Sequence, residues 1–442
     1  MNVREIIIAV YPYIVTLLYL CSFFAAVFAY FFRAFMLYTN NPKLDNFLFG
    51  PICTADKNEK RIKDIFLHVF LAFLLSRLSI LLIAQIGFML EGKPSHLFEH
   101  SEFIFKQWDA AHYIGIAENG YVNEGDARLH IVFYPLFPTL IRLLNSITGD
   151  SLISSAVISN VCLLLAAFFL YEIAFQAYGK KTAAVSVWLM MFSMGAVFYS
   201  VPYTESLFLF LTVACIYFAR KRHFWLALLL GALSSLTRLP GAAVAVCVFF
   251  EMIRSHLGYI RRAWDKRQRF KRALKVSVIS FSKCLLILTG FALYLLVNKI
   301  VTGDPFKFLE YQKYHWGQEA GNIYKTAAYS IRYLFYPFVD WYQFGVYLPQ
   351  CAAILLSVLI VFLVKKDVHP EDFAYSIVYL FVTLSPTMLI SGPRYISAMY
   401  CLYPFAATLM KKNSVYKYLV PIIWAAFFIY SSYMFMVKWT YL

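Results

Sequence analysis

The run "FWLALLLGALSSLTRLPGAAVAVCVFF" (Phe224–Phe250) is long enough to cross a bilayer once, yet its flanks forbid a single crossing. Arg220–Arg222 precede it and the basic stretch Arg254–Lys275 follows it. Loops rich in Lys and Arg stay on the cytoplasmic side of a membrane. A chain that leaves one such cluster and arrives at the other must therefore go in and come back. The centre, "TRLPG" (Thr237–Gly241), supplies the break, because Pro removes a helical donor and Gly loosens the backbone. Two short helices or a re-entrant hairpin are expected, turning near Arg238 on the non-cytoplasmic face.

The same logic orders the rest of the chain. Apolar segments occupy 6–32, 65–90, 152–178, 182–200, 204–219, 224–253, 276–302, 344–364, 374–390, 394–410 and 417–437. Between them lie basic clusters at Lys57–Lys63, Gly179–Lys181, Arg220–Arg222, Arg254–Lys275, Lys365–Lys366 and Lys411–Lys417. Several segments exceed the ~18 residues that mark a spanning helix, and an all-α polytopic membrane protein with about 11–13 transmembrane helices is expected. The stretch 131–147, "IVFYPLFPTLIRLLNSI", carries two prolines and Arg142 and reads as an interfacial helix rather than a span. The first apolar run, Ile6–Phe32, outlasts a signal-peptide core and reads as a retained anchor.

Composition agrees. Of 442 residues, 61% are hydrophobic and 14% charged, with a mean hydropathy of +0.64. A soluble protein carries about 25% charged residues. The net charge of +16 would suggest nucleic acid in a soluble chain, but here the cations sit in loops between apolar runs, so no nucleic-acid partner is expected. Seven cysteines lie in apolar runs, and Cys53 stands alone in a polar loop. No Cys-x-x-Cys occurs, which argues against disulfides and structural zinc. The nine basic residues between Arg254 and Lys275 fit an interfacial segment facing anionic lipid headgroups.

This topology divides the chain into an N-terminal anchor and cytoplasmic loop (1–63), a module at 64–253 with an outer loop at 91–151, a basic segment at 254–275, and a C-terminal membrane module at 276–442 with an outer loop at 303–343. The outer face collects the groups able to do chemistry. In "QWDAAHYIGIAENGY" (Gln107–Tyr121), read as a helix ended by Asn119–Gly120, Asp109 and His112 share a face three residues apart. Trp108 neighbours His112, whereas Glu118 points roughly the opposite way. An Asp beside an indole at the membrane face is partly desolvated and becomes a better base; an amphipathic helix with its acid in water is the competing reading. "VPYTES" places Tyr203 and Glu205 at the start of a span, where Glu205 is either functional or a helix-terminal charge. Arg238, and Arg394 in "SGPRY", are costly charges in apolar surroundings. They suit a phosphate or an ion pair with Glu205 or Glu118. "GDPFKFLEYQKYHWGQ" (Gly303–Gln318) adds His315 and Trp316, as belt aromatics or a sugar platform, and Arg77 is an intramembrane cation without an obvious partner. No Walker, dinucleotide or His-Glu-x-x-His motif is present. A divalent metal on Asp109 and His112 is conceivable, but the usual cage of acids is missing, so no cofactor is expected.

"WDAAHYIGIAENGYVNE", "FYPLFP", "PYTESLF" and "SLTRLPG" follow one another in an order that resembles the PIG-V family, over about Leu75 to Gly241. The resemblance implies a GT-C glycosyltransferase fold with a catalytic first outer loop. It implies a dolichyl- or polyprenyl-phosphate mannose donor, a lipid-linked acceptor and no nucleotide sugar. Asp109 would be the catalytic base, with Trp108, His112 and Glu118 of the same motif shaping the acceptor or phosphate site and with Glu205 and Arg238 matching the later motifs. Tyr203, His315, Trp316 and Arg394 are placed around the substrates from the residues alone, and the phosphate role of Arg238 or Arg394 rests on charge alone. The family reaction is the α-1,6 addition of the second mannose to a glycosylphosphatidylinositol (GPI) precursor at the luminal face of the endoplasmic reticulum, where an accessory membrane subunit is conceivable. The 303–318 stretch and the extra N-terminal helix also resemble bacterial relatives, which would act at the plasma membrane on a cell-envelope acceptor. A transporter should instead show matched broken helices in two halves; here the broken run has no counterpart.

Overall fold

In the computed structural model, the structure describes residues 3–39, 61–92, 105–336 and 343–438. The described residues are helical and contain no strand, only an isolated bridge between Ala320 and Pro386. Six helices are long and apolar enough to cross a membrane: Val3–Ala29, Lys63–Leu90, Ser151–Tyr178, Lys266–Thr302, Gln343–Val364 and Ser414–Met436. A seventh is obtained if Asp126–Val132 and Leu136–Thr148, bent by 112°, are counted as one span. The protein is thus an all-α, multi-pass membrane protein, with shorter apolar helices filling the interior. The lysines of the Lys57–Lys63 cluster before Arg61, and Cys53, lie outside the described residues.

In chain order, α1 is Val3–Thr39 and α2 is Leu71–Leu90. On the first outer loop, α3 is Asp109–Asn119 and α4 is Leu136–Thr148. The central helices are α5 (Ser151–Tyr178), α6 (Lys180–Met191), α7 (Glu205–Arg220), α8 (Phe224–Thr237) and α9 (Val244–Ser255). Then come α10 (Lys266–Cys284), α11 (Thr289–Thr302), α12 (Lys307–Trp316) and α13 (Ile323–Leu334). The last are α14 (Leu348–Val364), α15 (Pro370–Thr383), α16 (Gly392–Ser397), α17 (Leu402–Leu409) and α18 (Ser414–Met436).

The run that opened the sequence analysis breaks where its residues dictate. α8 stops at Thr237, Arg238 is fully extended (φ −161°, ψ 146°), and a short 3₁₀ turn, Leu239–Ala243, leads into α9. Of the two alternatives, the structure takes two short helices. The 131–147 stretch is likewise divided, with prolines at the corner and amphipathic α4 beyond it.

Helix length positions the site. At about 1.5 Å per residue, α5 is ~42 Å long, whereas α7 and α8 reach only ~24 and ~21 Å. α7 packs along α5 and α8, and the Ser159 hydroxyl donates to Val201 O (3.2 Å) in the turn just before α7. The first two turns of α5 therefore rise past the end of α7. α3 and α4 lie across this step, with Tyr113, Phe133, Phe137 and Ile141 packed on Cys162 of α5 and Leu207 and Leu211 of α7. Polar helix ends, among them the start of α7, gather beside this step.

Two contacts could not be anticipated from local sequence. α1 lies against α13, α14 and α15, and the Tyr11 hydroxyl donates to Cys351 O (2.7 Å). The N-terminal helix is thus part of the C-terminal module's packing. At the opposite end of the bundle from Glu205, the largely covered Arg220 and Arg254 are tied into an ion-pair network rather than exposed in loops. Arg220 Nη2 meets Asp372 Oδ1 (2.8 Å), and Arg254 meets Glu251 Oε1 (2.9 Å) and Glu371 Oε1 (2.5 Å).

Candidate active site

α3 begins at Asp109, not at Gln107. Trp108 precedes it in a left-handed conformation (φ 54°), unusual for a bulky residue, and its side chain is exposed. Trp108 and His112 therefore do not share a helical face, as a helix starting at Gln107 would require. The end of α3 is as expected: Gly120, at φ 79°, receives the chain and its N–H donates to Ile116 O. Arg142 of α4 fixes that end by donating from Nε to Ala117 O (2.6 Å) and from Nη2 to Glu118 O (3.1 Å).

Four charged side chains from four parts of the chain meet at the polar helix ends. Arg394 of α16 donates from Nη1 to Asp109 Oδ2 and from Nε to Glu205 Oε1. Arg238, at the α8 break, donates from Nη1 to the same Glu205 oxygen. Glu205, Arg238 and Arg394 are buried, and the Asp109 side chain retains 14% exposure. Aromatic faces back both cations. Arg394 lies 4.3 Å from the Tyr203 ring centre and Arg238 lies 4.3 Å from that of Tyr395, positions suited to cation–π attraction.

The extended conformation of Arg238 explains how a helix end supplies a cation there: its side chain leaves the α8 axis where the helix has already broken. Glu205 opens α7, so its charge also faces the positive end of that helix. Ion pairing with Glu205, one of the two arginine readings, is what the structure adopts. Glu118 takes no part; it is exposed at the far end of α3, about 13 Å along the axis from Asp109. Arg77, without a visible partner in sequence, donates from Nη1 to Ala196 O (3.0 Å) and to the Ser200 hydroxyl.

A chain of ring contacts joins the two outer loops. The His112 ring stacks on Phe133 (centroids 4.7 Å), Phe133 meets Trp316 edge-on (6.4 Å), and Trp316 neighbours His315 (6.3 Å). His130 lies edge-on to His112 at 5.2 Å. Burial pushes the His112 pKa down, partly opposed by Asp109; burial and then His112 push His130 down. In both, the surroundings favour the neutral imidazole. His130 was not singled out in sequence, although its place one residue from "IVFYP" was the available signal. Among the described residues, no group of three or more His, Cys, Asp or Glu is arranged to hold a metal ion.

Chemically, the cluster offers an oriented carboxylate with two guanidiniums beside it. The bonds described use Nε and Nη1 of Arg394 and Nη1 of Arg238, and a guanidinium has five N–H donors. A model of the family described as Mannosyltransferase (PIG-V) matches residues 69–302, just over half of the chain. The chain belongs to the PIG-V mannosyltransferase family. The match contains Asp109, His112, Glu205 and Arg238, whereas His315, Trp316 and Arg394 lie beyond it.

Curated relatives agree with the PIG-V assignment. The GPI alpha-1,6-mannosyltransferase 2 of Cricetulus griseus is 30% identical over 146 residues, 30% of this chain and 29% of that protein. The GPI mannosyltransferase 2 of Schizosaccharomyces pombe is 26% identical over 206 residues, 45% of this chain and 42% of that protein. The matches thus span less than half the length of these relatives. Among solved structures, the Archaeoglobus fulgidus oligosaccharyltransferase in its apo form aligns with 82% of this chain and 55% of its own at 14% identity, with a TM-score of 0.38. The oligosaccharyltransferase AglB of the same organism, in complex with an inhibitory peptide and a dolichol-phosphate, aligns at 14% identity with a TM-score of 0.31.

Proposed function

We propose that this PIG-V family member is an inverting GT-C mannosyltransferase that takes mannose from a dolichyl- or polyprenyl-phosphate donor and adds it to a lipid-linked acceptor. The single observation that carries the reading is the cluster of Asp109 with Arg394, Glu205 and Arg238 inside a chain of this family. Asp109 takes the proton of the acceptor hydroxyl as its oxygen attacks the anomeric carbon. The bond from that carbon to the phosphate oxygen breaks with its electron pair leaving on the phosphate. Remaining donors of Arg238 and Arg394 neutralise the charge that develops there. Glu205 holds the two cations together, and the side chains of Phe133, Trp316 and His112 offer ring faces to sugars. No metal is required in this scheme.

The names of the relatives favour a GPI precursor as acceptor and the second, α-1,6-linked mannose as the product. The site would then face the lumen of the endoplasmic reticulum, with an accessory membrane subunit as a conceivable partner. The test is to supply the purified chain with radiolabelled dolichyl-phosphate mannose or with GDP-mannose, together with a lipid-linked glycan acceptor. Label should pass to the acceptor from the lipid donor alone. Transfer from GDP-mannose, or transfer from neither, would overturn the reading.

A further inference from the structure

Three buried polar groups beside the charged cluster lack hydrogen-bond partners among the described residues. Gln107 is 9% exposed, and neither its amide nitrogen nor its amide oxygen is bonded. Thr204 is fully buried with its hydroxyl unbonded, although it occupies the N-cap position of α7, where a Thr hydroxyl ordinarily caps the helix. Glu205 is fully buried, and while Oε1 serves both arginines, Oε2 has no donor. Buried polar atoms left unpaired are costly and rare, and those that persist call for a reason.

All three belong to one neighbourhood. Gln107 is two residues before Asp109, and its carbonyl accepts a hydrogen bond from the Tyr203 hydroxyl (3.4 Å). Tyr203 precedes Thr204 and Glu205 and lies under the Arg394 guanidinium that binds both Asp109 and Glu205. The unpaired atoms include the amide's donor and acceptor, a hydroxyl that both donates and accepts, and a carboxylate oxygen that accepts. The neighbouring core also buries Ser206, whose hydroxyl donates to Tyr199 O (2.7 Å), and Ser397, yet among the described residues nothing satisfies this set. Adjacent hydroxyls of a hexose, each a donor and an acceptor, complement it.

We infer that Gln107, Thr204 and Glu205 Oε2 form the subsite that recognises the hydroxyls of the transferred sugar, next to the guanidiniums that face its phosphate. This rests on the transferase reading and adds the residues that distinguish a glycosylated lipid phosphate from a bare one. It also accounts for a polar residue, Gln107, immediately before the strained Trp108: the left-handed turn there lets Gln107 stay buried while Asp109 starts α3.

The experiment measures binding of polyprenyl-phosphate mannose and of polyprenyl phosphate to the purified full chain in detergent. Wild type should bind the mannosylated lipid about tenfold more tightly, as expected for two or so added neutral hydrogen bonds. Gln107→Met and Thr204→Val, which preserve volume while removing the polar atoms, should each shrink that ratio to about twofold or threefold. Their thermal midpoints should equal or exceed wild type, because an unpaired buried polar group is removed. Variants that keep the full ratio would overturn the subsite. So would a wild type that binds both lipids equally, which leaves the transferase reading standing. A wild type that binds neither lipid would remove the transferase reading and the subsite with it.

Discussion

Glu205 is where the charge arrangement can be tested most stringently. It is fully buried and a single oxygen, Oε1, serves two buried guanidiniums. In Glu205→Gln, Arg394 keeps Asp109, so the loss falls chiefly on Arg238. Among the described residues, Arg238 then keeps ring faces, Tyr395 at 4.3 Å and Phe208 at 5.9 Å. Removing one partner of a buried pair costs about 3–5 kcal/mol, mostly because a charge is stranded. Arg238→Met alone leaves Glu205 with Arg394 and should cost less, about 1–3 kcal/mol. Combining the two removes the stranded charge, so the double variant should be at least ~2 kcal/mol more stable than the sum of the singles predicts. The assay is equilibrium unfolding of the purified chain by detergent titration, with all four proteins measured under one condition. Additivity within about 0.5 kcal/mol would refute the claim that Glu205 and Arg238 neutralise each other in a low-dielectric interior.

Two further outcomes follow from the loops and the helix packing. His112 and His130 have pKa values lowered by burial, so the folded state resists protonation that the unfolded chain accepts near pH 6.5. Stability should be flat above that value and fall as the pH drops below it; His112→Asn should flatten the fall in thermal midpoint between pH 7.5 and 5.5, and an unchanged slope would contradict the assignment. Gly290 lets α11 lie against α8, since a Cβ there would fall on the Ala232 carbonyl and the Ser235 hydroxyl. Gly290→Ala should therefore cost about 1–3 kcal/mol, displace the helix that ends at Arg238, and lower transfer; wild-type stability and turnover would show that α8 tolerates the shift.

Much of this arrangement was legible because local chemistry decided it. Pro240 and Gly241 set the α8 break, Asn119–Gly120 ended α3, and the prolines of 131–147 made a corner instead of a span. What escaped was whatever depends on partners distant in sequence. Nothing local couples Arg394 to Asp109 across 285 positions, or Tyr11 to Cys351 across 340. Arg220 and Arg254 looked like ordinary cytoplasmic loop charges, yet Glu251, Glu371 and Asp372 draw them into the interior; the acid within an apolar run at Glu251 was the readable warning. The left-handed Trp108 was hidden because its residue type disfavours that conformation. Reading the helix from Gln107 thus gave Trp108 a neighbour it does not have and overlooked Gln107 itself.

The central claim is that Asp109 is the base of a lipid-phosphate-dependent mannosyl transfer. Asp109→Asn replaces a carboxylate that retains 14% side-chain exposure, while Arg394 keeps its bond to Glu205, so folding should survive. The decisive measurement is transfer of radiolabelled mannose from dolichyl-phosphate mannose to a lipid-linked acceptor by this variant, with its thermal midpoint recorded alongside. Transfer should fall at least about a hundredfold with the donor still bound and the midpoint within a few degrees of wild type. Wild-type turnover in a folded Asp109→Asn protein would contradict the account.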